Sequence, residues 1–157
     1  MYKISLIVIG SQKAGPHQTL AAEYLKRLKT DASIKLVEVS ETPFRSPADR
    51  AKVLTTEADK IRKVIPDDSF TIILEAAGKT FSSETFAAKL DQWSENGTRT
   101  LALIIGGPLG LSDEIKKEAN LLLSLSPMTM PHDLARVVLL EQIYRATTIL
   151  KKKTYHY

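Results

Sequence analysis

The sequence contains no cysteine and only three histidines. The absence of cysteine excludes disulfides, zinc ribbons, iron–sulfur clusters and thiol nucleophiles. With so few histidines we also expect no metal site. Seven glycines and seven prolines are too few for a fibrous or linker-rich chain.

Long apolar runs and strong charge are absent as well. The apolar run at residues 4–9 is too short for the core of a signal peptide. No stretch approaches the roughly 18 apolar residues that a membrane helix needs. We therefore expect a cytoplasmic protein without a membrane partner. The formal net charge of +4 permits a nucleic-acid partner without requiring one.

The sequence does contain a regular alternation of two patterns over 157 residues, a length typical of one domain spanning 1–157. Short apolar runs predict strands at 3–9, 34–39, 70–74, 100–105 and 121–125. Amphipathic spacing and capping residues predict helices at 17–29, 46–64, 82–95, 112–119 and 132–150. Strands that are apolar throughout are typical of a parallel sheet with helices on both faces. We therefore predict an α/β fold with a mostly parallel sheet.

Ligands of such sheets bind outside the carboxyl ends of the strands. In this sequence those ends lead into the loops at 10–16, 75–81, 106–111 and 126–132. In the third loop, Gly106 and Gly107 would let the backbone approach a ligand closely. The glycine spacing matches neither a dinucleotide-binding motif nor a P-loop, and Asp113 and Glu114 at the next helix start would repel a phosphate. The turn suits adenine or ribose, and a tight turn without a ligand is an equal alternative.

The loop after the fifth strand, LSPMTMPH at 125–132, contains two prolines and two methionines. Proline rigidity and soft methionine contacts make a preformed apolar wall that could hold a flat heterocycle or a thioether. From composition alone, the simpler interpretation is a connection whose methionines fill the core, with His132 at the entry of the last helix.

Positive charge is concentrated at the C-terminus, where five Lys or Arg oppose two acids from residue 132 onward. Arg136 and Arg145 are nine residues apart, about 180° around a helix, so they cannot share one face. Glu141 and Arg145 have the spacing of an ordinary solvated ion pair. Basic residues beside the terminal YHY suit contacts with phosphates and bases, and a solubilising tail is an equal alternative.

Three segments together establish a resemblance: IIGGPLGLS at 104–112, LSLSPMTMPHDLARVVLLEQIYRA at 123–146 and TYHY at 154–157. They resemble the RlmH (YbeA-like) family of bacterial 23S rRNA pseudouridine N3-methyltransferases, in the SPOUT superfamily. LEAAGK at 74–79 and the overall length also match. The resemblance implies a SPOUT-type α/β fold with a C-terminal trefoil knot, and a homodimer with active sites near the subunit interface. It implies methylation of the pseudouridine at position 1915, in helix 69, on the assembled 70S ribosome.

The resemblance also implies the site residues. S-adenosyl-L-methionine would be bound by the two loops described above and the end of the third strand: Leu74, Gly106, Gly107, Leu125, Ser126, Pro127, Met128, Thr129 and Met130. Methyl transfer to an imide nitrogen requires its proton to leave, so a base or an anion stabiliser is needed. We assign His132 to proton removal or orientation of the base, and Arg145 to the developing anion or a nearby phosphate. Tyr155 and His156 would shape the nucleotide pocket.

One position departs from the family pattern, and two other functions remain open from the sequence. Some relatives carry a basic residue after the terminal Tyr-His, where this chain has Tyr157, so residues 151–153 or a partner subunit would have to supply that charge. The modest net charge and the lack of a separate RNA-binding segment predict poor methylation of naked rRNA. The alternatives are a SPOUT methyltransferase acting on another RNA such as tRNA, and a non-enzymatic flavodoxin-like or receiver-type binding module.

Overall fold

Five parallel strands form the centre of the structure, a computed structural model that describes residues 1–152. The order across the sheet is β2-β1-β4-β3-β5, and every neighbouring pair is parallel. This confirms the predicted α/β fold with a parallel sheet. The trefoil knot stays a prediction. The strands are β1 (Tyr2–Ile9), β2 (Ala32–Val39), β3 (Phe70–Lys79), β4 (Thr100–Ile105) and β5 (Leu121–Leu123).

Helices cover both faces of this sheet because the strands are apolar on both sides. Along β1, Ile4, Leu6 and Val8 belong to one core cluster, and Ile7 and Ile9 belong to the other. This alternation follows from the two-residue period of a strand. The first cluster is completed by α1, α3 and α5, and the second by α2 and α4. The helices are α1 (Pro16–Leu28), α2 (Arg50–Arg62), α3 (Ser83–Trp93), α4 (Asp113–Glu118) and α5 (His132–Leu150).

Serine N-caps begin the two helices predicted at 82–95 and 112–119. The side chains of Ser82 and Ser112 each accept a hydrogen bond from a backbone N–H three residues further on. Ser46 forms a capping box with Asp49 at a short 3₁₀ turn (Pro47–Asp49), which leads into α2. Among residues 1–152, no helix combines the length and the apolar character that crossing a membrane requires.

The main difference from the predicted elements lies at the end of β3. This strand extends to Lys79 rather than ending at residue 74, and β5 ends at Leu123 rather than at residue 125. The register with β5 shifts between Leu74 and Lys79, so the segment between them bulges. Ser124 holds the bulge, with its N–H donating to the Lys79 carbonyl at 2.9 Å and its hydroxyl to the Ala76 carbonyl at 2.9 Å. The EAAG sequence has no β-branched residue, so its pattern gives no sign of a strand.

Candidate functional site

A cavity of about 540 Å³ opens at the carboxyl edge of the sheet, at the ends of β4 and β5 and beside the bulged part of β3. The start of α5 closes one side of it. The lining brings together residues 74–76, 105–111, 123, 125, 126, 128–132 and 135. Eight of the nine residues assigned to the cofactor line this cavity, as does His132; Pro127 does not. Three segments that are separate in the sequence, 74–76, 105–111 and 123–135, therefore meet in one place.

The turn after β4 is tight, and the core behind it explains its two adjacent glycines. The Gly110 N–H donates to the Gly107 carbonyl at 2.9 Å. A Cβ at Gly106 would lie 2.9 Å from Leu111 Cγ, and one at Gly107 would lie 2.7 Å from Cγ2 of the buried Ile9. Both positions thus exclude a side chain because of packing behind the turn. The sequence left two explanations open for these glycines, close approach of a ligand or a tight turn, and the packing shows that the turn itself requires them.

The loop after β5 supplies the opposite wall of the cavity. The Ser126 hydroxyl accepts a hydrogen bond from the Met128 N–H at 3.0 Å, which fixes the turn around the intervening proline. Met128 is 79% exposed, whereas Leu125 and Met130 are partly buried. The expected apolar wall therefore consists of Leu125 and Met130, and Met128 lies at the rim.

Glu75 is the one carboxylate among the described residues that line the cavity, and the sequence analysis missed it. Its carboxylate lies 2.6 Å from the Lys116 ammonium. The hydrogen bond from Lys116, together with those from the Ala76 and Ala77 N–H groups, holds the pKa of Glu75 below its usual range although burial opposes this. Glu75 is therefore ionised at neutral pH. Its position directly after the apolar run 70–74 was the available signal.

His132 is the first residue of α5, and its side chain is 26% exposed at the edge of the cavity. Its Nε2 lies 3.5 Å from Oδ1 of Asp133. That oxygen is buried and has no hydrogen-bond partner among the described residues. The structure therefore places a titratable ring beside the cavity with an acid next to it.

Arg145 lies elsewhere on α5 and does not line the cavity. Its guanidinium donates to Glu141 Oε1 from Nε at 3.0 Å and from Nη2 at 2.7 Å. Thirteen residues separate it from His132, a rise of about 20 Å along a helix. Within one chain the two side chains therefore cannot reach the same base. Tyr155 and His156 lie outside the described residues.

Arg136, the other arginine of α5, is buried rather than exposed. Its side chain is 2% exposed, and Nη1 donates to Glu38 Oε1 at 3.0 Å and to Gln12 Oε1 at 3.2 Å. It contacts the loop after β1 and the end of β2, whereas Arg145 pairs within the helix. The expectation that these two arginines occupy different faces is therefore confirmed.

The cavity suits the methyl donor that the resemblance implies. Its volume lies within the range of small-molecule sites, about 300–1,000 Å³. Leu74, Leu125 and Met130 offer apolar surface to a heterocycle, and the Glu75 carboxylate, paired with Lys116, lies in the same lining. None of the described lining residues is Lys or Arg. That lining is a poor match for a nucleotide that carries phosphates.

Comparisons with known proteins agree with this description. A family model described as "Predicted SPOUT methyltransferase" matches residues 2–156. A Streptococcus pneumoniae protein named "Ribosomal RNA large subunit methyltransferase H" is 42% identical over 157 residues, covering 98% of this chain and 99% of the relative. A Thioalkalivibrio sulfidiphilus protein of the same name is 38% identical over 154 residues, with 98% of each chain covered. A probable methylase family protein from Haemophilus influenzae shares the fold, with a TM-score of 0.55 at 15% identity, over 98% of this chain and 70% of that one.

Proposed function

The chain belongs to the SPOUT methyltransferase family, and from this premise we propose that it methylates N3 of a pseudouridine in 23S rRNA. The target is the pseudouridine at position 1915, in helix 69, and the methyl donor is S-adenosyl-L-methionine. The observation that carries the proposal is the cavity that joins the 106–111 turn to the 125–132 loop beside His132. The name shared by the two relatives supports a substrate in the RNA of the large ribosomal subunit.

The two loops and the end of β3 hold the donor. S-adenosyl-L-methionine, when bound, supplies a methyl group on a positively charged sulfur. Leu74, Leu125 and Met130 hold the heterocycle by apolar contact, and the backbone of residues 106–110 and 126–129 offers hydrogen bonds. Glu75, which its partners keep ionised, attracts the cationic part.

His132 and Arg145 act on the target base. The imide nitrogen holds a weakly acidic proton, and His132 takes that proton or orients the base so that it can leave. Asp133 Oδ1 lies 3.5 Å from Nε2 of the imidazole, with no hydrogen bond between them. Arg145 stabilises the anion that develops on the imide, or a neighbouring phosphate. Tyr155 and His156 shape the pocket for the nucleotide.

A homodimer follows from this assignment. Because Arg145 lies about 20 Å along the helix from His132, one chain cannot supply both residues to one base. Arg145 of the partner subunit would complete the site. Mixing His132→Ala with Arg145→Ala subunits tests this arrangement, because a mixed dimer then holds one intact site. After exchange we expect about one quarter of wild-type activity, whereas sites built within one subunit would give none.

The substrate is the assembled ribosome rather than free RNA. A net charge of +4 is modest for an enzyme that binds RNA by charge alone. Recognition therefore depends on a composite surface of the dimer and the ribosome, and the protein acts in the cytoplasm. Labelled methyl transfer to 70S ribosomes, free 23S rRNA, a helix 69 hairpin and tRNA tests the substrate. We expect efficient transfer to 70S ribosomes alone; efficient labelling of the hairpin or of tRNA would contradict the proposal.

The proposed role of His132 has its own test. His132→Ala should lower the turnover number and change its pH dependence while leaving the affinity for S-adenosylhomocysteine within about twofold. Full turnover with an unchanged pH profile would remove His132 from the mechanism.

A further inference from the structure

A second cleft, of about 210 Å³, lies beside the cavity. It is lined by Phe44, Arg45, Ser46, Pro47, Arg50 and Leu109. Leu109, from the turn after β4, also lines the cavity, so the two depressions share a wall. The segment 40–50 follows β2 and therefore lies at the same carboxyl edge of the sheet. The cleft therefore adjoins the cavity where we propose methyl transfer, with Leu109 between them.

The N-terminal side of this segment is anchored by two polar side chains of α2. The Lys60 ammonium donates to the Ser40 carbonyl at 2.9 Å and to the Thr42 hydroxyl at 3.1 Å. The buried Glu57 accepts a hydrogen bond from the Thr42 N–H at 2.9 Å. The backbone two residues before Phe44 is thus held in place.

The C-terminal side is anchored as well. Asp49 Oδ2 accepts hydrogen bonds from the backbone N–H groups of Arg45 at 3.1 Å and Ser46 at 3.2 Å. These two bonds hold the pKa of Asp49 below its usual range, so the anchor persists at neutral pH. Phe44 therefore projects from a segment that is fixed on both sides. A preformed segment loses little conformational freedom when it binds a partner.

The side chains of the cleft have the chemistry of single-stranded nucleic-acid recognition. Phe44 is 46% exposed, which leaves an aromatic face open to solvent. Arg45 and Arg50 are exposed, and neither forms an ion pair within residues 1–152. No carboxylate is among the described residues that line the cleft. Aromatic rings stack on unpaired bases, and guanidinium groups bind phosphates.

We propose that Phe44, Arg45 and Arg50 form an RNA-docking surface beside the methyl-transfer cavity. Phe44 stacks on an unpaired base near the target nucleotide, and the two arginines contact the flanking phosphates. This proposal rests on the proposed function, because it names how the same substrate is held. RNA is favoured over a protein partner because the cleft is basic and shares Leu109 with the cavity.

The test is a kinetic comparison on 70S ribosomes with four variants. Phe44→Ala should raise the KM for ribosomes about 5- to 150-fold, the range expected for one stacked base. Phe44→Trp should restore it, because the indole also stacks. Arg45→Ala/Arg50→Ala should raise KM and make transfer less sensitive to salt. Lys26→Ala/Lys29→Ala is the matched control, because it removes the same charge at the opposite edge of the sheet, where α1 ends.

The other possible outcomes each contradict one specific claim. Wild-type protein that transfers no methyl group to ribosomes contradicts the proposed function, whereas active wild type with an unchanged KM in Phe44→Ala contradicts only the docking surface. If the Lys26→Ala/Lys29→Ala control raises KM as much as the arginine variant does, the arginines act through general electrostatic attraction and not by docking RNA at the cleft. Loss of S-adenosylhomocysteine affinity in Phe44→Ala shows that the ring supports the cavity through Leu109. A change in sedimentation shows that the cleft contacts a second copy.

Discussion

Removing the charge of Glu38 should destabilise the protein more than removing that of Arg136, although the two form one ion pair. The Arg136 side chain is 2% exposed, whereas that of Glu38 is 38% exposed. In Glu38→Gln the guanidinium stays buried with only neutral acceptors, the introduced amide and Gln12. In Arg136→Met the remaining carboxylate still reaches water. The cost of a broken ion pair depends on which charge is left without solvent.

The magnitudes follow from the contacts. Arg136 already has Nε and Nη2 without partners among the described residues, so Glu38 provides most of its compensation. Losing a hydrogen bond between charged groups costs about 1.5–3 kcal/mol, and the uncompensated buried charge adds to this. We expect Glu38→Gln to cost about 2–3 kcal/mol and to lower the Tm by roughly 4–12 °C. Arg136→Met should change stability by less than about 1 kcal/mol.

Urea unfolding of the four proteins of a double-mutant cycle, at one protein concentration and pH 7, measures both costs and their coupling. In the Arg136→Met background, Glu38→Gln should cost less than about 0.5 kcal/mol. A cost of Arg136→Met equal to that of Glu38→Gln, or two costs that simply add, would refute this explanation.

Three further predictions concern the cavity. Met130→Arg places a cation in the apolar wall, so titration calorimetry should find S-adenosylhomocysteine binding abolished while the Tm without ligand changes little; tight binding would contradict the assignment. Gly107→Ala should lower the Tm by roughly 2–12 °C, because its Cβ would lie 2.7 Å from Ile9 Cγ2 and overpacking costs about 1–3 kcal/mol; an unchanged Tm would show that the turn can shift. Because the pKa of Glu75 is lowered in the folded protein, ionised Glu75 stabilises the fold at pH values above the usual pKa of a glutamate. This stabilisation is lost as the pH falls through the pKa that Glu75 has in the folded protein. Lys116→Met should therefore raise the Glu75 pKa, as followed by NMR, and make stability less sensitive to acid; an unchanged pKa would contradict the assigned cause.

The order of elements could be predicted from the sequence because apolar runs and serine caps are local signals. The two loops that line the cavity were also predictable, since the carboxyl ends of parallel strands meet at one edge. The bulged end of β3 was not, because Ser124 holds it from a position 48 residues away from Ala76. The ion pair between Glu75 and Lys116 was not predictable either, since Lys116 lies on a different element, α4.

Arg136 shows the limit most clearly. Its place on a face different from that of Arg145 follows from helix geometry. Its burial does not, because the acceptors Gln12 and Glu38 lie 124 and 98 residues away in the sequence. Whether residues so far apart in the sequence form a pair depends on which strands become neighbours in the sheet. A local sequence pattern does not predict this.

The position of the transferred methyl group tests the central claim most directly. Ribosomes that lack the modification would be incubated with the protein and a deuterated methyl donor, and the nucleosides of their 23S rRNA analysed by mass spectrometry. We expect one labelled nucleoside, an N3-methylated pseudouridine, in a fragment that contains helix 69. Label on a different nucleoside, or on RNA outside that helix, would contradict the proposed function.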